Sequence, residues 1–154
     1  MTTASEAYAT VRAVIEAAAP LDPNSGAKIP LRWRGEDNPP LPDLPAPFAF
    51  TLFGASRSST IENGGGRGAN RHRNFGVAEI FVFIPKDWGE RYGTDFAEAF
   101  ASALRPYRDN GVTCEDATVY PGGDGAQISV PGLTEPGNYF WSACEANFYF
   151  DLIG

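Results

Sequence analysis

A chain of 154 residues with two cysteines and one histidine makes one ordinary domain, long enough to bury roughly 70% of the surface its unfolded form exposes without a disulfide or metal as a staple. So few thiol and imidazole groups leave almost nothing from which to build a tetrahedral zinc site or a Cys-His nucleophile. The formal net charge of −7 is uneven: residues 1–75 hold eight Lys/Arg against seven Asp/Glu, and residues 76–154 four against twelve, so no basic stripe exists to bind nucleic acid tightly through counterion release.

The first residues carry neither a basic leader nor an apolar h-region, and the longest apolar run, near 77–85, is far below membrane-spanning length. A soluble protein made in the cytoplasm is expected. Ser5 can cap a helix running to about Ala18, with Ala7, Tyr8, Val11, Val14, Ile15 and Ala18 on one face. Pro20 stops it. A short strand over 29–34 follows, with Leu31 and Trp33 on one side and Arg32 and Arg34 on a side expected to be wet. Between Asp37 and Pro47 five prolines fix φ and remove amide donors, so this segment is an extended surface connector, a Pro-rich recognition ligand being the functional alternative.

From Phe48 to about Ser59 a second strand alternates loosely and turns polar at its far end. A glycine-rich loop, about 62–74, carries Arg67, Arg71, His72 and Arg73 and leads into 77–84, the most β-prone segment of the chain. Gly64, Gly65, Gly66 and Gly68 give the tip no intrinsic shape, so a contact outside the subunit is expected to order it. Residues 77–84 are apolar on both faces except at Glu79, which predicts cover on both, by helices on one and by something else, such as another subunit, on the other.

Residues 85–93 read as a loop. Thr94 and Asp95 open a second helix whose core face is Phe96, Ala99, Phe100, Ala103 and Leu104, and Pro106 ends it. A strand over 112–120, a short strand near 127–130 and a closing strand complete the chain. The closing strand alternates cleanly, with Phe140, Ser142, Cys144, Ala146, Phe148, Phe150 and Leu152 on one face and Tyr139, Trp141, Glu145, Asn147, Tyr149 and Asp151 on the other. The order predicts one α+β domain over 1–154: two helices packed on a mixed, mostly antiparallel sheet, with a long protruding β-hairpin loop.

No catalytic constellation emerges. His72 lies between two arginines, which disfavour its imidazolium, and lacks a carboxylate to orient it. Glu115 and Asp116 are adjacent on a strand and point to opposite faces. Asp109, Asp124 and Asp151 match no oxygen-ligand loop spacing. Neither enzyme activity, metal nor cofactor is expected, and buried free thiols are expected at Cys114 and Cys144, with a disulfide between them as the alternative.

The order Arg71-His-Arg-Asn-Phe-Gly followed by Val77-Ala-Glu-Ile-Phe-Val-Phe-Ile-Pro resembles the tail terminator-like proteins of long-tailed bacteriophages and phage-like gene transfer agents, and the element order is similar over nearly the whole chain. The glycine-rich loop and the stretch from Trp88 to Gly93 depart from the family pattern. The resemblance implies a structural virion protein at the tail-neck junction, assembled in the bacterial host cytoplasm. There it forms a ring, a hexamer in the family, that caps the tail tube, stops its polymerisation and presents the head-attachment surface. Implied partners are other copies of the chain, the tail tube protein and a head-tail connector or neck protein, with DNA only passing through the lumen. Six copies at −7 would carry roughly −42, enough to repel that DNA. On this reading Arg67, Arg71, His72 and Arg73 contact the tube, an arm of about six residues reaching roughly 20 Å. Tyr139, Trp141 and Tyr149 are the candidate subunit interface. Two other readings stay open: a neck or head-completion ring protein, and a small-ligand-binding α+β domain.

Overall fold

The computed structural model describes residues 3–62 and 68–153. Helix α1 spans Ala4–Ala18; Thr3, not Ser5, is its N-cap. The reason is the spacing Thr3-x-x-Glu6, a capping box in which the Glu6 amide donates to Thr3 Oγ1 (3.2 Å) and the Thr3 amide to Glu6 Oε2 (2.9 Å). At the other end Lys28 Nζ donates to the carbonyl of Ala17 at 3.0 Å, which suits the negative end of the helix.

Strands β1 (Leu31–Trp33), β2 (Phe48–Glu62), β3 (Arg71–Pro85), β4 (Arg108–Asp109), β5 (Val112–Asp124) and β6 (Tyr139–Ile153) form one sheet in the order β1-β2-β3-β6-β5-β4. Only β1 and β2 run parallel, because the proline-rich connector between them is long enough for a crossover; the other pairs are antiparallel. This is the expected α+β architecture, two helices on a mixed, mostly antiparallel sheet. Helix α2 (Glu90–Leu104) lies between β3 and β4.

Helix α2 begins a turn earlier than Thr94, after Gly89 at φ +88°. Gly93 is thereby inside the helix, and it is needed there: a Cβ at this position would stand 2.7 Å from Ser142 Oγ on β6. Ala97 and Ala101 are buried in place of Ala99 and Ala103, since the helix rests on small residues close to the sheet. The strand expected near 127–130 is absent; a 3-10 turn at Gly125–Gln127 takes its place. Residues 110 and 111, both with positive φ (51° and 78°), form a two-residue hairpin turn joining β4 to β5, the conformation that Asn-Gly favours.

The pleat divides the sheet into two faces. Both helices cover one, over a core that includes Ile80, Val82, Ile84, Cys144, Ala146 and Phe148. On the other, Phe48, Phe50, Phe83 and Tyr139 form a second cluster under Leu41 of the proline-rich connector and Val130 and Leu133 of the β5–β6 connection. The second cover is therefore partly intramolecular. Arg32 is the clearest departure from expectation: it is only 7% exposed, because the connector and the loop near Pro131 fold over its side of the sheet. Cys114 and Cys144 are free and buried. Cys114 opposes Phe148 and Cys144 opposes Val119, so the two lie four residues apart along the strands, roughly 13 Å, beyond disulfide reach.

Candidate functional site: a guanidinium cluster on the β2–β3 hairpin

The hairpin differs from a loop over 62–74. Strand β3 begins at Arg71, and residues 71–75 pair on both sides, with β2 and with the end of β6. Arg71, His72 and Arg73 are therefore strand residues in a three-stranded arm, because β6 extends to Ile153 and supplies a second ladder. Arg67 lies outside the described residues.

Alternation along β3 puts Arg71, Arg73 and Phe75 on the helix-free face and His72 opposite. A β-bulge between Ala55 and Arg57 sets Arg57 across from Phe75. Asp151 of β6 opposes Arg73 and accepts from both flanking arginines: Arg73 Nε at 2.9 Å, Arg73 Nη2 at 3.1 Å and Arg71 Nη2 at 2.6 Å. Hydrogen bonding from Arg73 holds the Asp151 carboxyl below the usual carboxylate range, and the same bonds raise Arg73. The Arg73 guanidinium lies 4.1 Å from the centre of the Tyr149 ring and that of Arg57 4.4 Å from Phe75. The two rings are 5.9 Å apart. Arg71 and Arg73 thus share the Asp151 carboxylate and Arg57 stands beside them over Phe75, so three guanidinium groups are fixed in place on an aromatic base along one arm. His72 faces Thr60, whose Oγ1 is 3.1 Å from Nδ1.

The three aromatic residues proposed as an interface share one face of β6 but not one environment. Tyr139 is 3% exposed, packed edge-on to Phe48 and Phe83 at 5.4 and 6.3 Å, and burial raises its hydroxyl pKa. It is core within its own subunit, because the proline-rich connector covers that end of the sheet. Trp141 is half-buried beside Phe81 and donates its indole N–H to Gln127 Oε1 at 3.0 Å. Tyr149 belongs to the guanidinium cluster, which joins two groups of residues that had been expected to act apart.

Elsewhere the acidic residues are dispersed. Asp124 caps the turn at Ala126 and pairs with Lys86 at 3.0 Å. Asp109 accepts from the amide of Asn110, and Asp116 accepts from Asn147 Nδ2 at 2.7 Å. A bulge between Cys114 and Asp116 interrupts the strict alternation expected of Glu115 and Asp116. Among the described residues no group of three His, Cys, Asp or Glu side chains is placed to hold a metal ion, and no helix is long and apolar enough to cross a membrane. Two members of the cluster were not anticipated as such: Arg57, which only the bulge brings into line, and Asp151, for which the matching signal was its place on the same face as Tyr149. No family model matches the chain, and no curated protein matches it.

Proposed function

We propose that this chain is a structural protein of a phage-type tail, forming a ring that closes the tail tube, stops its polymerisation and offers the surface to which a filled head attaches. The observation that carries the reading is the arm: strands β2 and β3 end in a fixed guanidinium and aromatic cluster, with β2 exposed over residues 57–61. Such a cluster suits an acidic, partly apolar protein surface, because fixed guanidinium groups lose little conformational freedom on pairing. The resemblance of residues 71–85 to tail terminator-like proteins gives that surface its identity, the last ring of tube subunits.

Ring closure, with six copies as in the family, would use the part of the helix-free face left open around Tyr149 and the edge of Trp141. Tail tube protein below and a neck protein above are the proposed partners, at the tail-neck junction of the virion, with DNA passing through the lumen. The test is addition of the purified protein to polymerising tube subunits, followed by electron microscopy of tube lengths. Short tubes capped at one end are expected, and Arg57→Glu, an exposed change that spares the Asp151 pairs, should abolish capping. Tubes of unchanged length with the unaltered protein would refute the proposal.

A further inference from the structure

Arg32 lies in a different part of the sheet from the guanidinium cluster, on β1. Its side chain lines a cleft of about 550 Å³ between the proline-rich connector and the loop leading to β6, within the size range of small-molecule sites. The guanidinium is held by two backbone carbonyls, Pro39 O from Nη1 at 2.5 Å and Pro131 O from Nη2 at 3.0 Å. Its Nε is shut from solvent and has no acceptor, and Arg32 forms no ion pair with any described carboxylate.

A cation more than nine-tenths buried is stable only with compensation, and two neutral carbonyls supply part of it without cancelling the charge. The remaining hydrogens of Nη1 and Nη2 form a planar donor fork, the shape that matches a carboxylate. Room for the group is built in. Gly132 sits at φ +84°, and a Cβ there would come within 3.0 Å of Arg32 Nη2. At the rim stand two exposed acids, Asp43 and Glu135. They oppose a multiply charged anion such as phosphate, and they favour a carboxylate that carries a cationic group beside it.

We propose that this cleft binds a carboxylate of zwitterionic character, the acid on Arg32 and the cation toward Asp43 and Glu135. The chemistry has two sources: a free amino-acid-like zwitterion, or an acidic residue with a basic neighbour on a second copy of this chain. The site does not depend on the ring proposed above.

The test follows the Nε–H resonance of Arg32 by NMR in the full chain. In dilute protein, titration with glutamate should move it saturably, with acetate weaker by several-fold for want of the ammonium group. The double variant D43N/E135Q, confined to the exposed rim, should remove the advantage of glutamate, with acetate binding no more weakly than before because two repelling charges are gone. A shift that appears on concentrating the protein without additive would support the site and assign the carboxylate to a second copy. No saturable shift in either arm, or an equal shift with chloride, would overturn the proposal and leave Arg32 as a clamp between two loops.

Discussion

Gly76 closes the motif that begins at Arg71, and its role is steric. It opposes Phe148, and a Cβ at this position would lie 2.5 Å from that ring, which itself packs edge-on to Tyr8 at 5.7 Å. Gly76→Ala must push the ring into a filled core and should cost about 1–3 kcal/mol, read as a lower urea midpoint; a change under about 0.5 kcal/mol, typical of an unconstrained surface site, would contradict this contact. Asp151 makes a second prediction. Its carboxyl is held below its unfolded value by Arg73 and Arg71, so its contribution is complete above the ordinary carboxyl pKa, about 3.9, and is lost as pH falls through the folded value. Asp151→Asn should destabilise by about 1 kcal/mol at pH 7, partial exposure moderating the pairs, and the gap to the unaltered protein should close below about pH 4. A gap that widens on acidification would show that the pairs do not form. The thiols offer a third. Burial pushes Cys114 up to about 11 and Cys144 to about 12, so at pH 8 neither should react with a thiol reagent until the chain unfolds.

The arm is where element and residue meet. Its rigidity comes from β6, which pairs with β3 as far as Arg71, and a strand alternating over residues 139–152 was readable in the sequence. What the alternation does not encode is register. The positions of Arg71, His72 and Arg73 looked like loop because four nearby glycines dominate local propensity, yet a neighbouring ladder overrides propensity at the strand's start. Helix α2 shows the same limit: Gly93 weakens the helical signal, and its reason, close approach to Ser142, exists only in the packed form. By contrast, Asn110-Gly111 is a hairpin signal legible in the sequence, but β4 has only two residues, too few to show alternation on that side of the turn. The five prolines show that the connector is extended, but composition does not encode which face it covers, so the burial of Arg32 and Tyr139 is visible only in the fold. Replacing residues 59–73 with an Asn-Gly turn between Ser58 and Asn74, which pair directly, should leave a folded protein with near-native circular dichroism and remove any capping of tubes. Capping that survives this deletion would separate the arm from the function.

At the scale of the whole molecule, the sheet has a filled face and a partly open one. The helices and the proline-rich connector together close both sides of the Phe83 end, while the outer edge of β2 beyond Thr51 pairs with no strand among the described residues. An open edge and a half-open face on one arm are features that assembly can cover. They place the Tyr149 part of the proposed ring contact at the arm's end of the subunit, apart from the cleft over Arg32. The proposed limit on tube growth is tested most directly by the tail-length distribution, by negative-stain microscopy, of particles assembled without this gene. Overlong, variable tubes lacking heads are predicted. Tails of normal length beside separate filled heads would contradict a terminator and move the protein to the neck, and unaltered particles would contradict any role in the tail.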